Sequence, residues 1–232
     1  MKIVKNEKLI QRNGKIGQYT SLGALLVLGT GMYISFNRTD LFVYSIAALL
    51  VGFTMTQIGM YMGNRYGRSP RPDEKLDAGL KGLQNEFVIY HYTAPASHLL
   101  VGPAGIWVLL PYHQRGQVAY KKNRWKMTGG GFLQGYMRIF GQESIGRPDV
   151  ELSGEVNAVK KYLSAQLDET EMPEVMGMLV FTSDDVEIDA EGADVPALKV
   201  KEIKNFFRQK AKEKDKPITP TQLAAVKAAM PE

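Results

Sequence analysis

Two uncharged, apolar stretches dominate the first quarter of the chain, and nothing after them repeats the pattern. Residues 20–36 carry no charge, and residues 41–62 carry none either, with Gln57 their one amide. A helix rises about 1.5 Å per residue, so each stretch can cross the roughly 30 Å hydrocarbon core of a bilayer, the first only just. The polar residues Asn37-Arg38-Thr39-Asp40 separate them. This pattern predicts a tight transmembrane helical hairpin over residues 20–63. A core hairpin of a soluble protein is the first competing reading, but such cores rarely need two adjacent uncharged stretches of this length. A cleaved signal peptide is the second, yet the first stretch begins only after a polar segment, residues 1–19, and a second stretch follows at once.

Residues 64–72, Asn-Arg-Tyr-Gly-Arg-Ser-Pro-Arg-Pro, read as a juxtamembrane linker. Beyond it the periodicity changes to that of an α/β domain, residues 73–209. Asp73 and Glu74 open a helical pattern with Leu76, Leu80 and Leu83 on one face, and acids in the first turn suit the helix dipole. Strand-like runs follow at residues 87–92, 98–101, 106–110 and 117–120, which predicts an antiparallel meander. Gly102-Pro103-Ala104-Gly105 is a hairpin turn signal. The run Gly105-Ile-Trp-Val-Leu-Leu has no alternation, as expected of a central strand covered on both faces.

After Trp125, the run Gly129-Gly130-Gly131 and the stretch to Gly146 read as an excursion. It is a poor phosphate loop, because no Lys-Ser/Thr pair follows it. Val156, Val159, Leu163 and Leu167 recur at three and four residues and predict an amphipathic helix over residues 152–167. Strands are expected at residues 176–181, 186–188 and 197–200, and a helix around Ile203, Phe206 and Phe207. Residues 210–232 form a basic linker and a short C-terminal helix from about Thr221 to Ala229.

The mean hydropathy of −0.19 averages away this segregation. The net charge of +5 is explained in the same way. Lys2, Lys5, Lys8, Arg12 and Lys15 precede the first stretch, and Arg65, Arg68 and Arg71 follow the second, whereas the intervening turn holds Arg38 offset by Asp40. The positive-inside rule therefore places both termini and the α/β domain in the cytoplasm, with the bilayer as first partner. The remaining charge is nearly balanced, so net charge alone does not argue for nucleic acid. The chain has no cysteine, which agrees with a domain that needs no disulfide.

Three clusters carry candidate chemistry. His91, His98 and His113 lie near successive strands, but no pair has ligand spacing, and ordinary strand histidines are the plainer reading. Lys121, Lys122, Arg124 and Lys126 around Trp125 are candidate nucleic-acid contacts, with cations for phosphates and a ring for stacking. The same cluster also fits a solvated hairpin edge guarded by lysine. Gly59-Met-Tyr-Met-Gly63 forms a small-xxx-small face that packs either on the first helix or on another copy, a route to a homo-oligomer through the hairpin. Tyr19, Tyr33, Phe36, Phe42, Tyr44 and Tyr61 fit ordinary interface anchors.

Four strings, taken in order, resemble the NERD (nuclease-related domain) family: His98-Leu-Leu-Val-Gly-Pro103 with Gly105-Ile-Trp-Val-Leu, Gly116-Gln-Val with Trp125 downstream, Arg147-Pro148 opening the long helix, and Leu179-Val180-Phe181. The resemblance spans residues 73–207. It implies a restriction-endonuclease-like fold, a mixed sheet flanked by helices, here preceded by the transmembrane hairpin. Members of that family carry an acid before the histidine of the first string, then a Glu and a Lys two residues apart at the end of the next strand. Such acids hold a divalent cation, and the Lys handles the attacking water. The matching positions here are Ser97, Leu110 and Tyr112, so the resemblance implies a catalytically inactive module without metal or other cofactor, a scaffold for nucleic acid or a cytoplasmic protein. Asp73, with Glu74 beside it, falls at the family's first-helix Glu, and Glu151 falls where the family often has Gln. A Mg-dependent nuclease rebuilt from Asp73, Glu74, Asp149 or Glu151 is the alternative, and a purely structural oligomerisation platform is a third reading.

Overall fold

The computed structural model describes residues 1–128, 145–168, 172–213 and 217–231. The chain divides into two units: residues 6–71 form one, and residues 1–5 with 72–232 form the other.

The first unit is helical. Helix α1, Glu7–Asn37, starts where the Asn6 side chain accepts from the Leu9 N–H at 3.0 Å, with Glu7 in its first turn. A 3-10 turn, Thr39–Leu41, leads into α2, Phe42–Met62, which runs on through a π-helical turn at Gly63–Gly67. The buried positions of α1 are Ile10, Gly17, Ala24 and Gly31, and those of α2 are Gly52 and Gly59. They recur every seven residues and are nearly all small, so the two backbones approach closely along one seam. A Cβ at Gly17 would lie 2.9 Å from the Gly63 nitrogen, and one at Gly59 would collide with the Ser21 hydroxyl. The large apolar side chains point the other way: Leu25 is 68% exposed, Phe36 75% and Val43 75%. Both helices are long and apolar enough to cross a membrane.

The second unit is mixed α/β. Its main sheet has six strands in the order β1 (Lys2–Lys5), β2 (Val88–His91), β3 (His98–Gly102), β4 (Gly105–Tyr112), β7 (Val175–Phe181) and β9 (Ala197–Lys199). Strands β2, β3 and β4 are antiparallel neighbours, whereas β1 lies parallel to β2, and β7 lies parallel to both β4 and β9. Helix α3 (Pro72–Leu80) precedes β2, α4 (Pro148–Ser164) connects toward β7, and α5 (Ile203–Lys210) and α6 (Pro220–Ala229) complete the unit. A smaller sheet joins β5 (Gly116–Tyr120) to β6 (Trp125–Thr128) and to β8 (Val186–Asp189).

Strand β4 shows why the sheet is covered on both faces. Ile106, Val108 and Leu110 join one apolar cluster with Leu152, Val159 and Leu163 of α4 and Val226 of α6. Trp107 and Leu109 join the other with Leu76 and Leu80 of α3 and Ile203 and Phe207 of α5. Alternation along the strand thus sends successive side chains to opposite helical layers. At the β3–β4 turn Gly102 pairs with Gly105, and Gly105 takes a φ of +101°, a conformation open to glycine.

The expected meander needs correction, and the basic N-terminal segment 1–19 divides between the two units: residues 2–5 are a strand of the main sheet, anchored by the Met1 amine donating to Leu83 O at 3.3 Å and Asn85 Oδ1 at 3.2 Å. Residues 7–19 already belong to α1. The meander ends at β4, because β5 leaves for the small sheet.

Candidate functional site

Strands β1, β2, β4, β7 and β9 all run the same way, and their carboxyl ends form one rim of the sheet. In open α/β sheets this rim is where loops and helix ends gather polar groups. Here it carries two polar clusters, one on each face.

On the α3 face, Lys5 at the end of β1 pairs with Asp73 at 3.0 Å and with Asp77 at 2.5 Å. Asp73 and Asp77 sit one helical turn apart on α3, so both reach one ammonium. Burial acts to lower the Lys5 pKa, but hydrogen bonds and charge from Asp77 and Asp73 outweigh it, and the net shift is upward. Asp77 Oδ1 accepts from His91 Nε2 at 3.0 Å, and His91 Nδ1 lies 2.7 Å from His98 Nδ1. The register makes this contact, since His91 stands directly opposite His98. Asp73, His91 and His98 are buried.

Hydrogen-bond geometry fixes the protons. A carboxylate only accepts, so His91 Nε2 carries a hydrogen, and one proton lies between the two Nδ1 atoms. With its Nε2 hydrogen facing Asp77, a neutral His91 presents Nδ1 to His98 as an acceptor. Lys75, between the two aspartates in sequence, reaches the Thr182 hydroxyl at 3.4 Å, and that hydroxyl donates to Tyr112 O at 3.1 Å.

The α4 face holds the positions singled out by the resemblance. Tyr112 donates its hydroxyl to Glu151 Oε2 at 2.8 Å. Ser97 donates its hydroxyl to Glu155 Oε1 at 2.6 Å and its N–H to Glu155 Oε2 at 3.1 Å. Leu110 is 3% exposed inside the α4-side core. The Tyr112 phenol is pushed well above its ordinary value, first by burial and then by the Glu151 charge, with Glu155 and Asp149 adding to it. Asp149 is held by Arg147 at 2.7 Å, and its pKa is lowered by that hydrogen bond. Helix α4 thus delivers carboxylates at 151 and 155 to Tyr112 and Ser97, whose hydroxyls donate to them.

Of the acids proposed for a rebuilt centre, Asp73 and Glu74 lie on α3 and Asp149 and Glu151 on α4. The sheet stands between those layers, so the two pairs do not share a site. Among the described residues no group of three His, Asp or Glu side chains is arranged to hold a metal ion. His113 is exposed on the segment after β4.

The basic cluster is a hairpin tip. Lys122 and Asn123 both have positive φ, +54° and +57°, and Lys121 and Arg124 exchange backbone hydrogen bonds at 2.9 and 3.2 Å. This is a two-residue type I′ turn between β5 and β6. Lys121, Lys122, Arg124 and Lys126 are exposed, and Lys121 lies 3.9 Å from Asp189. Trp125 corrects the expectation of an interleaved stacking ring: it is 5% exposed and packs on Tyr120 at 5.3 Å. Gly129, Gly130 and Gly131 lie outside the described residues. In the helical unit, Gly59 meets Ser21 of the same chain, and a Cβ at Gly63 would meet nothing within 4 Å.

Sequence reasoning missed Lys5, Asp77 and Glu155. The signal for the two acids was present: Asp73–Asp77 and Glu151–Glu155 are both spaced by one turn beside an apolar helix face. Lys5 had no such signal. No family model matches the chain, and comparison with curated proteins and with solved structures finds no match.

Proposed function

We propose that the chain is a membrane-anchored binding or scaffold module whose α/β unit has a NERD-like, restriction-endonuclease-like core without nuclease chemistry. The order α3-β2-β3-β4-α4-β7, with β7 parallel beside β4, supports that core. The observation that carries the inactive reading is Leu110. It occupies the position the resemblance gives to the central metal ligand, and it is packed in the core with no oxygen to offer. The outward-facing leucines and phenylalanines of α1 and α2 support the bilayer as their solvent, since a soluble core helix buries such residues. Residues on both sides of the hairpin belong to one folded unit, so the N-terminus and the α/β unit share one side of the membrane. The basic flanks favour the cytoplasm.

The surface offered to a polyanionic partner is the hairpin tip of Lys121, Lys122, Arg124 and Lys126, which would bind by phosphate contacts alone. The test uses the full chain in mild detergent with single- and double-stranded DNA and RNA in Mg or Mn, on native and denaturing gels at two salt concentrations. No strand cleavage is expected, and any gel shift should weaken with salt and with neutralisation of the hairpin tip. Metal-dependent cleavage that disappears in Glu151→Gln or Asp73→Asn would establish a nuclease instead.

A further inference from the structure

The polar end of the helical unit holds a cavity of about 640 Å³ between α1 and the end of α2 with its π-helical turn. Its lining changes character along its depth. Lys15, Arg68 and Arg71 line one part, with Glu7 as the lone carboxylate, and Ser21 and Gly59 line another. Ser21 and Gly59 lie within the uncharged stretches, whereas Lys15 and Arg68 lie just outside them. The cavity therefore straddles the level where the apolar spans give way to charge.

Lys15 and Arg68 are exposed, and neither side chain makes an ion pair or hydrogen bond among the described residues. Lys15 and Arg68 alone outnumber the one carboxylate of the lining and give the cavity a positive field. Lysine offers a point charge and arginine a fork of donors, a combination suited to phosphate oxygens. A molecule with an anionic phosphate head and an apolar tail changes character across the same boundary.

We propose that this cavity binds the phosphate-bearing headgroup of an anionic lipid, with Lys15 and Arg68 as its principal contacts. The proposal rests on the membrane-spanning reading of α1 and α2. A soluble phosphate compound would meet the same cations, so the test separates the two sources.

The full chain, purified in mild detergent, is examined by native mass spectrometry with phosphatidylglycerol, with phosphatidylcholine, and with inorganic phosphate. A one-to-one adduct with phosphatidylglycerol should form at roughly tenfold lower lipid than with phosphatidylcholine. Lys15→Gln combined with Arg68→Gln should abolish that preference. Lys8→Gln combined with Arg12→Gln removes equal charge outside the cavity and should leave it intact. Equal binding of both lipids, equal loss in both double variants, or an adduct with inorganic phosphate as persistent as the lipid adduct would each overturn the proposal. Retention of the chain in carbonate-washed membranes is scored separately, so failure of the spanning reading is told apart from failure of the headgroup site.

Discussion

Lys5→Met is expected to destabilise the α/β unit by about 2 kcal/mol, less than the cost of breaking a fully buried ion pair because Lys5 is only partly buried. Lys5 is the cation shared by Asp73, whose side chain is 0% exposed, and Asp77, whose side chain is 17% exposed. Without it, two carboxylates one turn apart repel each other beside the His91–His98 pair. Chemical unfolding of the full chain, followed by tryptophan fluorescence, reads the effect, because Trp107 and Trp125 both lie in this unit. Adding Asp73→Asn to Lys5→Met should return part of the loss, and the non-additivity measures the coupling. The pH dependence has a definite sign. The Lys5 pKa is raised in the folded state, so its contribution is complete below the ordinary lysine value near 10.4 and fades as pH rises beyond it. The gap between the wild type and Lys5→Met should therefore narrow in strong alkali. A variant that melts like the wild type would mean that β1 is dispensable.

Gly59→Leu is expected to force α1 and α2 apart. Even a Cβ at this position would lie 3.0 Å from the Ser21 nitrogen and 3.2 Å from its Cα, and backbone cannot move aside as a flexible side chain can. The cost of such overpacking is about 3 kcal/mol. The chain has no cysteine, so a pair introduced as Gly31→Cys and Ala48→Cys reports directly. A Cβ at Gly31 would lie 2.8 Å from the Ala48 Cβ, close enough for a disulfide once the backbones relax. Cross-linking should be efficient in the otherwise unaltered hairpin and should drop about tenfold when Gly59→Leu is added. Unchanged cross-linking would show that the glycine seam does not hold the helices together.

Much of the architecture is legible in local pattern. The unbroken apolar run of β4 announces a strand covered on two faces, and the three-and-four spacing of Val156, Val159 and Leu163 announces α4. What escapes is decided by partners far along the chain. Lys2-Ile-Val-Lys5 is too short to be told from a polar tail, and its partner strand begins at Val88. The seven-residue recurrence of Gly17, Ala24 and Gly31 was in the sequence, but small residues in an apolar stretch reveal a seam only when a second helix supplies Gly52 and Gly59.

The candidate site shows the same division. Trp125 among four cations invites the reading of a stacking platform, yet Trp125 and Met127 flank Lys126 in the alternation of a strand, and alternation turns the ring inward. His91 and His98 lack ligand spacing as a linear string. Antiparallel register makes them neighbours, and only pairing information supplies that. Conversely, the positions that the resemblance singles out, Ser97, Leu110 and Tyr112, can be named from the string alone, whereas the carboxylates that meet Ser97 and Tyr112 come from a helix whose approach the sequence does not specify.

The most direct test of the account is the side of the membrane on which each unit lies. Single cysteines are introduced as Thr39→Cys, in the turn between the spans, and as Glu191→Cys, on an exposed turn of the α/β unit. Intact cells are then treated with a membrane-impermeant maleimide. The account predicts that Thr39→Cys is labelled in intact cells and that Glu191→Cys is labelled only after the membrane is opened. Labelling of Glu191→Cys in intact cells, or recovery of the chain in the soluble fraction, would contradict it.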